Sequence, residues 1–241
     1  MELIFIRHAE PDYENNTLTE KGFKEAEFLG QFLKDQKIDA MYVSPLNRAK
    51  YTADAILKYN NDFKVEYKDC LIEFYEEVDL PYLKNSITWD FRTSLLKDDK
   101  IFDNKKWREI DYLNNEKLLS RYESNKKDFL EILEKHGYKK DGNIFKVIKP
   151  NHDKIVFVCH FGIISYMLST LLNISPIAIA NMTVSRPTAI TRLVSEERER
   201  GEAIFRLLEY GSTTHLYING EQPSFMARFC ETFDDDTEHV N

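Results

Sequence analysis

Two apolar runs that each end in a histidine constrain this chain most. The first, Leu3-Ile4-Phe5-Ile6, is followed at once by Arg7-His8; the second, Ile155-Val156-Phe157-Val158-Cys159, is followed by His160. Short apolar runs rich in β-branched residues read as strands buried on both faces, the kind found in parallel sheets covered by helices. In open α/β sheets, ligands bind at the carboxyl ends of the strands. Each run therefore delivers a histidine to the ligand end of a sheet. Arg7 adds a guanidinium at the same place, so a site for a small anion is expected there.

The segments between these runs read as alternating helices and strands. Pro11 to Asn16 has the composition of a loop. Thr17-Leu18-Thr19-Glu20 offers a helix start, with Thr17 or Thr19 as the cap and Glu20 placed as in a capping box. Phe23, Ala26, Leu29, Gly30 and Leu33 then recur at helical spacing to about Lys34. Asp39 to Val43 is a second strand, ended by Ser44-Pro45, and a helical stripe follows from Leu46 to Leu57. Arg48 falls in the first turn of that helix, where a cation is disfavoured. An anion held there by Arg48 and the free backbone N–H groups resolves the conflict. Val65-Glu66-Tyr67 and Leu71-Ile72 suggest a third strand leading to Glu73. The β-α-β-α-β opening predicts an α/β fold with three layers and a mostly parallel central sheet.

The later chain is read less regularly. Residues from about 78 to 153 show aromatics among charges and no clear period, and are expected to form an insertion or cap within a single domain of residues 1–241. Within it, Leu118 to Leu133 supports a long helix ending near His136-Gly137. Phe161 onward is a buried helix, then a turn near Asn173–Pro176 and a second apolar segment. Ala189–Val194 and Ala203–Leu208 read as antiparallel strands joined by a solvated turn at the charged run Glu196 to Gly201. Residues from about 226 to 241 form an acidic tail.

Composition sets the outer bounds. With 241 residues, 42% of them hydrophobic, the chain is long enough for a sizeable core. A net charge of -8 argues against a general nucleic-acid binder, whose footprint is basic. The three cysteines, Cys70, Cys159 and Cys230, make neither a disulfide framework nor a C-x-x-C zinc pair. Cys159 is read as a buried, inert thiol. The uncharged stretch from Phe161 to Ser185 is interrupted by Asn173, Ser175, Pro176, Asn181 and Thr183, so no membrane span is expected. The N-terminus has no basic region of the signal-peptide type, and cytoplasm is the expected compartment.

The ordered set of motifs resembles the histidine phosphatase superfamily, the phosphoglycerate mutase-like proteins. Ile6-Arg7-His8-Ala9-Glu10 is similar to its R-H-G/A signature, and Thr17 to Gly22 to its L-T-x-x-G helix start. Ser44-Pro45-Leu46-Asn47-Arg48-Ala49, with Thr52-Ala53, resembles S-P-L-x-R-A-x-x-T-A. Leu71-Ile72-Glu73 looks like the L-x-E that carries the acid, and Val158-Cys159-His160-Phe161-Gly162 like the second-histidine motif. Ser212 to Leu216 resembles a late segment of the fold. Two departures stand out. Phe161 intervenes between His160 and Gly162, which alters the backbone beside the phosphate and narrows the pocket. No glycine-and-tryptophan run follows Glu73, so Glu76, Glu77 and Asp79 remain rivals for the acid.

The resemblance implies a phosphatase acting on a small phosphorylated substrate, with His8 as nucleophile, Arg7 and Arg48 clamping the phosphate and a protonated His160 adding a donor. Glu73 would be the acid and base, and Phe161 would line the pocket. Two arginines and a histidine supply enough positive charge that no metal or other cofactor is expected. His136, His152, His215 and His239 are read as non-catalytic. A phosphoglycerate mutase is the alternative enzyme, although Pro11-Asp12-Tyr13 does not match the mutase pattern after the first strand. A non-catalytic phosphate-binding regulator is the alternative outside enzymes. The substrate and the oligomeric state are not legible.

Overall fold

The computed structural model describes residues 1–224; the acidic tail, with Cys230 and His239, lies outside them. The strands in chain order are β1 (Glu2–Arg7), β2 (Pro11–Asp12), β3 (Thr17–Leu18), β4 (Ala40–Val43), β5 (Lys64–Tyr67), β6 (Val78–Leu80) and β7 (Leu83–Ser86). After these come β8 (Tyr138–Asp141), β9 (Ile144–Val147), β10 (Lys154–Cys159), β11 (Ile190–Glu199) and β12 (Glu202–Ser212). The helices are α1 (Glu20–Leu33), α2 (Asn47–Leu57), α3 (Glu116–Lys135), α4 (Phe161–Leu172), α5 (Pro176–Met182) and α6 (Thr214–Tyr217).

Eight strands form the central sheet in the order β5-β4-β10-β1-β11-β12-β9-β8. The block β5-β4-β10-β1 is parallel. The strands beyond β1 pair antiparallel and extend the sheet on that side. Side chains alternate across the pleat, so β1 is divided between two cores. Ile4 and Ile6 join Leu29, Leu33, Ala53 and Ile56 of α1 and α2 on one face. Leu3 and Phe5 join Phe129 and Leu133 of α3 and Ile164 and Leu168 of α4 on the other. Phe5 and Phe157 stack at 4.9 Å in adjacent strands, and Phe129 packs on both. The result is the three-layer α/β fold that the strand runs predict.

Local differences from the sequence reading have physical causes. The Pro11–Asn16 loop is opened and closed by the two-residue strands β2 and β3, which pair as a hairpin. Thr19, not Thr17, caps α1, its side chain accepting from the Gly22 N–H at 2.9 Å. Leu71 and Ile72 do not extend a strand; Asp69–Leu71 is a 3-10 turn after the edge strand β5. Cys70 and Leu71 are buried in the α3-side core, and core packing there overrides strand propensity. The charged run from Glu196 stays in β11 as far as Glu199, and the chain reverses only at Arg200-Gly201. Gly201 takes φ +85, and Arg206 reaches across the ribbon to Glu196. Such cross-strand charge pairs let a polar ribbon continue as sheet.

Residues 78–153 comprise two parts. The stretch 78–115 is the β6-β7 hairpin and short 3-10 turns gathered round the fully buried Trp107. The remainder, α3 with β8 and β9, packs into the helix layer and the sheet edge. Helix α3 ends before Gly137, whose φ of +89 is a left-handed C-terminal stop. Helix α4 stops at Asn173 in the left-handed region, and Pro176 starts α5. Among the described residues no helix is long and apolar enough to cross a membrane.

Candidate active site

Three neighbouring strand ends build the floor of the site. In the β1-β10 register Arg7 lies opposite Cys159, so the next residues, His8 and His160, leave the sheet side by side. The His8 N–H donates to the Cys159 carbonyl at 2.9 Å. The Ser44 N–H, at the end of β4, donates to the Val158 carbonyl at 2.9 Å. The two imidazole rings, both buried, stand 4.9 Å apart between centroids.

The hydrogen-bond network assigns the protons. His8 Nδ1 is 2.7 Å from the Ala9 carbonyl oxygen, which can only accept, so Nδ1 carries the proton and Nε2 the lone pair. Arg48 Nε–H lies 3.2 Å from that Nε2 and 3.2 Å from His160 Nδ1, a donor shared between two acceptors. The other nitrogen of His160, Nε2, is 2.8 Å from Ser44 Oγ. Burial first, then the Arg7 and Arg48 charges, hold the His8 imidazole well below its ordinary value. Burial, His8 and the same arginines do this for His160 as well. A phosphate dianion would act in the opposite sense.

The cations come from different parts of the chain. Arg48 sits in the first turn of α2, as the sequence predicts. Thr52 ties this helix to the histidine loop by accepting from the Ala9 N–H and donating to the Arg48 carbonyl. Arg7 donates through Nη1 to the Ser185 carbonyl at 2.6 Å, while its buried Nε has no hydrogen-bond partner among the described residues. A buried guanidinium N–H left open costs free energy until an oxygen reaches it. Thr188, with φ +57, lets its N–H meet the Arg7 and His8 carbonyls. His215, buried, reaches Thr188 Oγ1 at 2.9 Å and so braces the loop from behind.

Glu73 reaches the same space from the turn after β5. Its Oε1 accepts from the Phe74 N–H at 2.8 Å and from the Ile163 N–H, in the first turn of α4, at 3.1 Å. Burial raises its carboxyl above the ordinary value, against the opposing pull of Arg7 and these donors. Gly162 explains why the carboxyl fits: a Cβ there would stand 2.7 Å from Glu73 Oε1 and 2.6 Å from the Trp89 ring. The rival acids are placed elsewhere. Glu76 is paired with Arg121 at 2.6 Å and Lys117 at 2.9 Å. Glu77 and Asp79 line a separate depression with Asp111 and Lys117.

Arg7, Arg48, Glu73 and Phe161 line one cavity of about 540 Å³. His8 and His160 lie against this wall through Arg48. Phe161 is buried as the first residue of α4, with the Arg7 guanidinium 5.8 Å from its ring centre and Trp89 edge-on at 6.0 Å. Sequence reasoning missed Trp89, Tyr75 and Arg121 as parts of this wall, and Ser44 as the partner of His160. Only Ser44 had a signal, its place in the S-P-L-x-R motif. Among the described residues no group of three or more His, Cys, Asp or Glu is arranged to hold a metal ion.

A second acid lies behind the first loop. Glu25, buried on α1, accepts from the Glu10 N–H at 3.3 Å and the Ser224 N–H at 3.0 Å. Glu10 is also bonded to Thr19 and to Ser224 Oγ. Gly22 allows this, because a Cβ there would collide with the Glu10 carbonyl oxygen. Burial, with a smaller contribution from the Glu10 charge, pushes Glu25 up from 4.5 to about 7. Below pH 4.5 both folded and unfolded chains hold its proton. Between about 4.5 and 7 only the folded chain does, so stability falls as pH rises, and above 7 the penalty is complete. Its size is roughly 3 kcal/mol. Glu25→Gln is expected to flatten the decline of Tm between pH 5 and 8; parallel curves for the two proteins would refute this.

The three-layer α/β fold is one that the chain shares with solved phosphatases, and its site sets histidines at the ends of two adjacent parallel strands beside two arginines. Residues 3–79 match the family described as Histidine phosphatase superfamily (branch 1). No curated protein matches the chain by sequence. The chain is similar to a mutant phosphoserine phosphatase from Entamoeba histolytica solved with phosphoserine: 20% identity, TM-score 0.58, 89% of this chain and 98% of that one. It is also similar to a mycobacterial glucosyl-3-phosphoglycerate phosphatase solved with VO3, at 17% identity and TM-score 0.55 over 88% of this chain and 99% of that one. The alpha-ribazole phosphatase from Shigella flexneri gives 18% identity and TM-score 0.55 over 88% and 97%.

Proposed function

We propose that this protein is a phosphatase that hydrolyses a small phosphate monoester through a phosphohistidine on His8. The observation that carries this reading is the His8 tautomer. Its Nδ1–H is locked on the Ala9 carbonyl, and its Nε2 lone pair faces the arginine wall. Burial and the two cations keep that lone pair free of a proton at neutral pH. The imidazole is thus a ready nucleophile.

In the first step Nε2 attacks phosphorus in line with the ester oxygen. The P–O ester bond breaks, and the leaving oxygen takes its proton from Glu73. Glu73 is suited to this because Oε1 is the anchored oxygen and burial favours the protonated carboxyl. The phosphoryl group takes the place of Arg48 Nε–H at the lone pair, and the guanidinium turns its donors onto phosphoryl oxygens. Arg7 Nε, unpartnered among the described residues, meets another. Both gain strength as charge spreads over those oxygens. In the second step water attacks phosphorus, Glu73 takes its proton, the P–N bond breaks and inorganic phosphate leaves. Two arginines supply the positive charge in this scheme, and His160, protonated beside the dianion, adds a donor; no metal or cofactor enters it.

Glu73 favours turnover over mere phosphate binding, because a binder has no use for a protonated carboxyl beside the ester oxygen. The test is to trap the intermediate. Mixing with p-nitrophenyl phosphate in EDTA, quenching in alkali and mapping peptides by mass is expected to show a phosphoryl group on the His8 peptide. Turnover without any labelled His8, or turnover abolished by EDTA, would overturn the mechanism.

A further inference from the structure

We infer that the ester this site takes is the monophosphate of an uncharged, ring-bearing alcohol, an aryl or nucleoside-like group, and not that of a small acid. This rests on the phosphatase reading above and adds the class of leaving group. Beyond Arg7, Arg48, Glu73 and Arg121, the cavity wall is aromatic and aliphatic: Tyr13, Tyr75, Trp89 and Phe161, with Leu46, Ile72 and Ile87. Trp89 is held edge-on to both Phe161, at 6.0 Å, and Tyr75, at 6.5 Å. That brace fixes an apolar slot next to the phosphate clamp. Tyr13 and Tyr75 stand at its mouth, 62% and 52% exposed. Exposed aromatics gathered around a cavity of this size are an apolar binding surface.

Charge points the same way. A substrate such as phosphoserine or phosphoglycerate brings a carboxylate that needs a cation of its own. The third cation of the wall, Arg121, is already committed. It pairs with Glu76 at 2.6 Å and donates to the Glu73 carbonyl at 2.6 Å. Glu73, the one carboxyl in the wall, adds no attraction for an acid. The cavity therefore pairs one dianion with the clamp and offers the rest of the ester mainly ring and aliphatic surfaces, with no uncommitted cation among the lining residues. Stacking against an aromatic side chain contributes about 1–3 kcal/mol per base, which is roughly 5- to 150-fold in affinity.

The test is a panel of kcat/KM values for wild type, Trp89→Ala and Trp89→Phe. The ring-bearing set is 1-naphthyl phosphate and adenosine monophosphate; the ringless set is phosphoserine, 3-phosphoglycerate and glycerol phosphate. Wild type is expected to favour the ring-bearing set by at least tenfold. Trp89→Ala should collapse that ratio mainly through KM, while Trp89→Phe should keep most of it. A preference for naphthyl over adenosine ester, or the reverse, separates the two sources of the ring. Inorganic phosphate should still raise the Tm of Trp89→Ala, which shows that the clamp remains. Equal or better turnover of phosphoserine or 3-phosphoglycerate, or a ratio that ignores Trp89, overturns the inference and leaves the phosphatase reading standing. Should no ester be hydrolysed, the phosphatase reading fails, and Tm shifts with the same esters decide the ligand class. Equal shifts for the two sets would then overturn it.

Discussion

His8→Ala is expected to lose turnover by on the order of 10⁴-fold or more while the protein stays folded. The size follows from the role of His8 as nucleophile. His160 Nδ1 also faces the Arg48 Nε–H, but its Nε2 meets a Ser44 hydroxyl, which can donate or accept, whereas the Ala9 carbonyl fixes the His8 tautomer. His8→Asn is the better-folded control, because its amide can still donate to the Ala9 carbonyl, while it has no nucleophilic nitrogen. Both variants should still be stabilised by inorganic phosphate, since Arg7, Arg48 and His160 remain. Turnover within tenfold of wild type in a folded His8→Asn would remove His8 from the mechanism.

Glu73→Gln is the second large effect, and its signature depends on the leaving group. Alkyl phosphates need a proton on the departing oxygen, and losing the general acid costs about 10²- to 10⁴-fold. p-Nitrophenolate leaves without one, so the first step survives in the variant. The second step still lacks its base, so a burst of p-nitrophenol matching the enzyme present should precede a slow steady state. The pH dependence has a definite sign. Glu73 must hold its proton in the free enzyme, so kcat/KM for an alkyl phosphate falls as pH rises through its raised pKa. The variant should lose that alkaline limb when compared on the same ester, where substrate titration cancels. Retained alkyl phosphatase activity with an unchanged limb would transfer the role away from Glu73. The obvious replacement is a poor one, because Glu76 is held as a carboxylate by Arg121 and Lys117.

Much of this site was legible because its parts are short-range. The β1 and β10 runs declare themselves by composition, and a histidine directly after a buried strand has one place to go. Arg48 follows from the strand-turn-helix at Ser44-Pro45. The alternation of Leu3 and Phe5 with Ile4 and Ile6 already divides the two cores. Other parts were hidden because no local pattern encodes them. Arg121 holds the Glu73 carbonyl from 48 residues away. The glycine displaced by Phe161 looked like a defect in the motif. It proves to be the position where Glu73 and Trp89 both close on the backbone. Ser185 and Thr188 reach Arg7 and His8 from the end of a loop with no periodicity.

By itself, the sequence determined the parallel strands and the order of helices between them. It also determined which strand ends carry the histidines and the arginines, since these follow from burial of apolar runs and the period of the backbone. The tertiary structure alone decided which of the acids shares a cavity with Arg7 and Arg48, which nitrogen of His8 carries the lone pair, and which side chains line the rest of that cavity. Those are set by contacts between residues far apart in the chain, whose energies depend on burial and on the charges that folding brings together.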